Sequence, residues 1–367
     1  MNDSAFDSHL GTIPADHYVR DEIFPLEMKH IFEPSWLCIG FAEDLKNHND
    51  FITAQIGERG IVVQNFHGEL RAFRNVCSHR YSRIQTQRCG NRPLQCPYHG
   101  WTFDSQGLPS GIPMNRQCFG FEDADKKRLA LQHYFVDTVG HFIFVRMSAE
   151  GPSLLEYLGN FYDDLQHVSE VCTDRFETAS FEWAANWKVG MDNAAEGYHV
   201  PLVHPNTFGM ILPLDLEISM DAEHSRYIGA LKEASIKWWS NVQKAIGLQP
   251  SQRYPGYGNF LIFPNIVVTY SYGAFLTFQT FDPLSTHSLR INSTAWLAKN
   301  NGRAARSMVL DSLKAFSEAV RNEDRDICAQ VQAGMRDQPS NRPLMLGKLE
   351  GRIAHFQRSY MARMGSA

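Results

Sequence analysis

Hydrophobic periodicity divides the chain into three stretches. Up to about residue 40, "PLEMKHIFEPSW" spaces its apolar positions as a short helix does. From there to about residue 147 the pattern becomes period-two. "ITAQI", "IVVQNF" and "LRAFRNV", separated by "GERG" and "HGE", predict a meander of short strands. "WTFDSQGLPSG" continues it as strand and turn, and "GHFIFVRM" closes it. Beyond about residue 150, "SLLEYLGNFYDDLQHV" predicts a helix and "ETASFEWAANW" a strand entering one. "NFLIF", "NIVVTYS", "AFLTFQTFD" and "LRINSTAWLA", joined by Pro, Gly, Asn and Ser turns, predict an antiparallel sheet. A long helix over about 303–334 and a shorter basic one end the chain. There is no internal repeat and no low-complexity segment.

Composition narrows this picture without redirecting it. The 367 residues can bury a large core and suggest two domains. With 12% aromatic and 20% charged residues and a net charge of -5, nothing points to nucleic acid or an anionic membrane. The start "MNDSAFDSHL" lacks the basic and apolar regions of a secretory signal, and no apolar run approaches the roughly 20 residues of a membrane helix. Seven cysteines in a chain of this length argue against a disulfide framework and for metal ligation, catalysis or core packing. The expectation is a cytoplasmic enzyme.

Two cysteine–histidine pairs are the first candidate chemistry. "VCSHRYSR" carries Cys77 and His79, and "LQCPYHGW" carries Cys96 and His99, both at strand-to-loop junctions. Two thiolates and two imidazoles can hold zinc, but common zinc modules group the cysteines on one knuckle and the histidines on a helix. Here each knuckle contributes one of each. That symmetry suits a [2Fe–2S] cluster with two thiolates on one iron and two neutral imidazoles on the other.

The second constellation lies in "NWKVGMDNAAEGYHVPLVHP", which holds Glu196, His199 and His204. On a regular helix Glu196 and His199 share a face, whereas His199 and His204 point about 140° apart. The two imidazoles can share a metal only if the helix breaks, and Pro201 is expected to break it. Two histidines and one carboxylate form the facial triad of non-haem Fe(II) oxygenases. In the long helix, Val309, Leu313, Phe316, Val320, Ile327 and Val331 form an apolar stripe. Asp324 falls within the stripe and Glu323 outside it, so Asp324 is the expected third ligand and Glu323 is expected to turn aside.

C-x-H-x16-C-x2-H followed by Gly-Trp resembles the Rieske motif. N-x-x-E-x-Y-H-x4-H and "NEDRDICAQVQ" resemble the catalytic domain of Rieske non-haem iron oxygenase α (terminal oxygenase) subunits. The likeness runs from "SWLCIG" to "HFQRSY". Respiratory Rieske proteins bridge their two loops by a disulfide, whose places here are Ser82 and Tyr98, so the resemblance is to the oxygenase type. Tyr81 stands where relatives often have Gly.

The resemblance implies an α+β fold, with an N-terminal Rieske β domain and a C-terminal helix-grip-like catalytic domain of antiparallel sheet and flanking helices. The expected divisions are a lead-in over 1–39 packing on the catalytic domain, a Rieske domain over 40–148 and a mononuclear-iron domain over 149–367. The implied cofactors are a [2Fe–2S] cluster on Cys77, His79, Cys96 and His99 and a mononuclear Fe(II) on His199, His204 and Asp324. Electrons would come from NAD(P)H through a flavin/iron–sulfur reductase, with or without a separate ferredoxin. A head-to-tail homotrimer is implied, with Glu196 bridging the two metal sites across the subunit boundary. That acid is usually Asp, and Glu occurs in relatives resembling carnitine monooxygenase. The expected reaction is O2-dependent hydroxylation or cis-dihydroxylation of a small aromatic compound or aromatic acid. The alternatives are a carnitine- or betaine-like quaternary amine monooxygenase and a Rieske electron carrier without oxygenase activity. Aromatic-rich segments between about 205 and 282 are the expected pocket, with Arg226 and Arg253 weighed as partners of a substrate carboxylate.

Overall fold

The structure is a computed structural model, and it describes residues 11–212, 217–302, 304–337 and 341–365. The chain forms two compact units, Phe32–Tyr157 and a second made of the residues through Ile31 together with those from Leu158 onward.

The Phe32–Tyr157 unit is built on a seven-stranded antiparallel sheet. Its strands are β1 (Leu37–Phe41), β2 (Asp50–Ile56), β3 (Arg59–Phe66), β4 (Glu69–Arg74), β5 (Cys89–Asn91), β8 (His133–Val139) and β9 (Phe142–Arg146), with β6 (Thr102–Phe103) and β7 (Pro109–Gly111) as a separate two-stranded ribbon. The order is β1-β9-β8-β4-β3-β2-β5. The meander foreseen from the alternation is β2, β3 and β4, with register pairs such as Ile52 with Val63 and Val63 with Ala72. The sequence pattern left β1 inside the helical lead-in. It instead pairs with β9, through Leu37 opposite Val145 and Phe41 opposite Phe142, and brings the preceding residues from Phe32 into this unit.

The second unit has a longer antiparallel sheet of β10 (Asp174–Trp183), β11 (Glu217–Asp221), β12 (His224–Gly229), β13 (Tyr257–Ile262), β14 (Ile266–Ser271), β15 (Phe275–Ser285) and β16 (Ser288–Leu297). The order is β10-β16-β15-β14-β13-β12-β11. The two helices that end the chain are Arg306–Asp337 and Gly351–Met364. The helix Glu233–Ile246 and the hairpin of β11 and β12 were not foreseen as elements. Their apolar residues are interleaved with Lys, Glu and Ser, which weakens either period.

The lead-in from Gly11 packs on this second unit through buried polar groups. Glu27 pairs with Lys188 and accepts from the Trp187 indole N–H and the Tyr360 hydroxyl, each at 2.9 Å. Tyr18 donates to Asp192 at 2.7 Å. A wholly buried Lys188 is tolerable because its carboxylate partner accompanies it. This network anchors the helix Trp187–Ala194, which leads directly into the histidine segment.

Candidate metal centres and substrate cavity

In the Phe32–Tyr157 unit the two cysteine–histidine loops are near copies of one another. Cys77 N–H donates to the carbonyl of Ser82 and Tyr81 N–H to the carbonyl of Cys77, at 2.8 and 3.0 Å. Cys96 N–H donates to Trp101 and Gly100 N–H to Cys96 at the same two distances. The matching fifth residues, Tyr81 and Gly100, are both left-handed, at φ of 61° and 72°. The loop therefore keeps the shape that Gly gives in its twin, with a side chain carrying the strain.

These loops bring Cys77, His79, Cys96 and His99 together. Both thiols are buried, and the imidazole rings lie 4.6 Å apart. His79 stacks on the Trp101 ring at 4.8 Å. Burial raises the Cys77 thiol to about 11, the N–H of His79 pulls the other way, and the Cys96 thiol adds to the rise. Such thiols are poor free acids but good ligands, since a metal removes their protons. His79 Nδ1 is buried and has no hydrogen-bond partner. An orphaned ring nitrogen is costly unless a metal takes its lone pair. The donor set thus fits a two-iron cluster. All seven cysteines are free thiols.

The second centre is gathered from distant segments. The helix Trp187–Ala194 stops before Glu196, and a four-residue helix begins at Val200. Glu196 and His199 thus lie in a bend rather than on one helical face. The reason is local: Glu196 accepts from the backbone N–H groups of Tyr198 and His199, in place of helical carbonyls. Pro201 sits in the first turn of the new helix, where its missing N–H costs little, instead of making the break. His199 and His204 flank that short helix and turn toward each other, their rings 5.1 Å apart.

Asp324 comes from the long helix. His204 Nε2 lies 2.9 Å and His199 Nε2 3.8 Å from Asp324 Oδ1. One donor atom from each of His199, His204 and Asp324 falls within 4.8 Å of the others. A single ion with bonds of roughly 2.0–2.2 Å reaches all three after shifts of a few tenths of an ångström. The Asn193 amide donates to the same Asp324 oxygen at 2.8 Å.

Both Nδ1 atoms are held from behind. His199 Nδ1 meets Glu196, which is itself buried. His204 Nδ1 meets Glu323 Oε2 at 2.7 Å, and Thr207 Oγ1 donates to that same oxygen at 2.7 Å. Carboxylates on Nδ1 fix the tautomer that presents Nε2 lone pairs to the common point. Burial alone would lower the His204 pKa, but Asp324 and Glu323 outweigh it and raise it. A bound cation would replace that proton.

Glu323 was expected to turn aside and does not. Residue type misled the stripe. In the C-terminal half the buried positions are Cys328, Gln332 and Met335, while Val331 is 41% exposed. Gln332 is tolerated inside because it accepts from Asn186 N–H at 2.6 Å and donates to the Tyr18 carbonyl at 3.1 Å. The inward face is therefore wide enough to present both Asp324 and its neighbour to His204.

The triad opens on a cavity of about 450 Å³. Its walls draw on the aromatic segments foreseen for it, including Phe208, Trp238, Trp239, Tyr257 and Phe275, together with Asp324 and Arg321 of the long helix. Residues 213–216 of "FGMILPLDL" lie outside the described residues. Arg226 and Arg253 are not among the lining residues. Both instead pair with the buried Asp164, at 2.5 and 2.8 Å.

Comparison with known proteins follows the same division. Residues 35–134 match the Rieske [2Fe-2S] domain family, and residues 170–366 match the ring hydroxylating alpha subunit (catalytic domain) family. The carnitine monooxygenase oxygenase subunit of Acinetobacter pittii (strain PHEA-2) is 32% identical over 198 residues, 53% of this chain and 53% of that one. The toluate 1,2-dioxygenase subunit alpha of Pseudomonas putida is 34% identical over 203 residues, 52% of this chain and 43% of that one. The matched stretches thus span about half the length of these curated relatives. Among solved structures, the quaternary ammonium Rieske monooxygenase CntA in complex with L-carnitine superposes with a TM-score of 0.80 at 22% identity, covering 97% of this chain and 96% of that one. That likeness extends to the fold. Among the described residues, no helix is long and apolar enough to cross a membrane.

Proposed function

Because this chain belongs to the ring-hydroxylating α-subunit family, with a Rieske [2Fe–2S] domain ahead of its catalytic domain, we propose that it is the terminal oxygenase of a multicomponent system. It takes NAD(P)H-derived electrons from a flavin/iron–sulfur reductase, with or without a ferredoxin, and hydroxylates or cis-dihydroxylates a small aromatic compound. The observation that carries this reading is the convergence of His199, His204 and Asp324 on one point in the wall of an aromatic-lined cavity. The similarity to a toluate dioxygenase supports an aromatic substrate. The similarity to a carnitine monooxygenase oxygenase subunit supports a quaternary amine as the second reading.

When bound, the cluster supplies single electrons and the mononuclear iron activates O2. The chain's own residues do the placing. Cys77, His79, Cys96 and His99 would hold the cluster, with Trp101 fixing the His79 ring plane. His199, His204 and Asp324 would hold the iron on one side and leave the cavity side for substrate and O2. Glu196 and Glu323 fix the two imidazoles and keep their Nδ1 protons in hydrogen bonds. Glu196 already grips His199, and we assign its further role to an inter-subunit contact, within a head-to-tail homotrimer, with a cluster histidine of the next copy. Oxygen uptake with an NADH-driven reductase, across aromatic acids, neutral arenes and quaternary amines, tests the reading. Uptake coupled to an aromatic substrate is expected. Iron-replete protein that reduces its cluster but never consumes O2 with any of them would reduce it to an electron carrier.

A further inference from the structure

The charged side chains lining the cavity are Glu196, His199, His204, Asp324 and Arg321. Four of these are engaged at the metal-ligand point, and Arg321 is not. It stands three residues before Asp324, on the same face of the long helix and one turn away. Its guanidinium carbon lies 4.3 Å from the centroid of the Phe181 ring on β10. Among the described residues it makes no hydrogen bond and no ion pair. Burial lowers its pKa, and Glu177 and Glu318, acting through space, pull the other way. Arginine remains charged throughout. A half-buried guanidinium with five donors and no acceptor is costly unless a ligand brings acceptors.

Two further polar groups lie close by. Gln279 on β15 and Ser293 on β16 are register partners, both line the cavity, and neither side chain is hydrogen-bonded within the described residues. Ser293 also pairs with Ala179 and Ile291 with Phe181. The ring under Arg321 is therefore one same-face row, roughly 7 Å along the strands, and one strand, roughly 5 Å across, from Ser293, with Gln279 one strand further. Of the other polar groups on this floor, Thr269 bonds Thr277, and Asn259 accepts from Arg352 at 3.0 Å.

The opposite charge has no such provision. The acids that line the cavity, Glu196 and Asp324, are both committed to histidines. Trp239 has one face covered by Tyr272, nearly parallel at 5.7 Å, and Trp238 meets it edge-on at 4.8 Å. A quaternary ammonium would find no free carboxylate among these lining residues.

We infer that the cavity is built for an aromatic carboxylate, gripped by Arg321 with Ser293 and Gln279 beside it. The arene then lies against the apolar wall, with its ring toward the ligand point one helical turn on. This deepens the oxygenase reading and rests on it.

The test is equilibrium binding to the purified full-length protein, with iron content and the Rieske spectrum recorded on every sample. Benzoate and 1-naphthoate are compared with benzamide, 1-naphthamide and glycine betaine. Wild type should bind an aromatic acid at least roughly 10-fold more tightly than its amide, as a charge-assisted pair requires. Arg321→Met should lose that preference, Arg321→Lys should regain part of it, and Ser293→Ala should weaken acid binding a few-fold. Equal binding of acid and amide by wild type, binding of neither acid, binding of glycine betaine in place of the acids, or a preference that survives Arg321→Met would each overturn the inference. Protein without iron or a Rieske spectrum would instead overturn the oxygenase reading itself, so the two failures are told apart.

Discussion

The two units of this molecule hold their histidines by opposite means. In Phe32–Tyr157, His79 leaves Nδ1 buried and unpartnered, and its ring is set by stacking on Trp101. In the second unit, His199 and His204 each give Nδ1 to a glutamate and turn Nε2 toward Asp324. The first arrangement surrounds its donors with buried thiols and aromatic rings, and two imidazoles in place of thiolates lower the cluster's negative charge and raise its potential. The second stacks carboxylates behind its imidazoles, which raises ligand basicity and suits a hard divalent ion with open positions. A site that passes electrons needs a rigid, low-charge cage. One that receives O2 beside a substrate needs strong ligands on one side and space on the other.

The strongest way to break this contrast is Asp324→Ala. It removes the one carboxylate both imidazoles face, so the mononuclear iron should be lost and oxygenation abolished while the Rieske absorption stays intact. Metal analysis alongside the visible spectrum checks this, and a variant that keeps its full iron complement would displace Asp324 as the third ligand. Next is Glu196→Gln. Both metal sites should still fill at saturating iron, with affinity weakened no more than at Glu323, yet turnover of the filled protein should fall by about two orders of magnitude, because glutamine keeps the length but loses the charge that accepts strongly from imidazole N–H. In single-turnover experiments the reduced cluster should persist after substrate and O2 are added, and rapid reoxidation at the wild-type rate would remove Glu196 from the bridge.

A smaller effect is expected at Glu323. Glu323→Gln leaves His204 a weaker partner, and iron affinity should drop about 10- to 100-fold by chelator competition. Unchanged affinity would mean that Thr207 and packing suffice to aim the ring. The smallest effect belongs to the other unit. Tyr81→Gly relieves a left-handed tyrosine and should raise stability by about 1 kcal/mol in denaturant unfolding, with the cluster spectrum unchanged. A loss of stability would show that the exposed Tyr81 side chain does more than tolerate its turn.

The same contrast decides what could be read from the chain beforehand. The four residues proposed to hold the cluster sit in two local motifs, so the approach of Cys77, His79, Cys96 and His99 was legible from their spacing, as were the strands that frame them. The triad joins His199 and His204 to a residue 120 positions on, and Asp324 was reachable only through the helical stripe. Glu323 was missed because the stripe was drawn by residue type, and Gln332 and Cys328 share the buried face without announcing it. Arg226 and Arg253 drew attention as cations in a candidate pocket segment. Their partner Asp164 lies in a helix far back in the chain, and no pattern connects them. Arg321 gave no signal, since a lone arginine in a charged helix looks like solvent-facing surface. The edge strand Leu37–Phe41 was lost for a related reason, because only pairing with β9 makes it a strand.

Metal content and electron paramagnetic resonance of the purified full-length protein test the account most directly. It predicts about three irons per chain, two in the cluster and one at the triad, with a red-brown colour and, on reduction, the shifted g-values of a cluster with two imidazole ligands. A colourless protein holding stoichiometric zinc and no iron would contradict it.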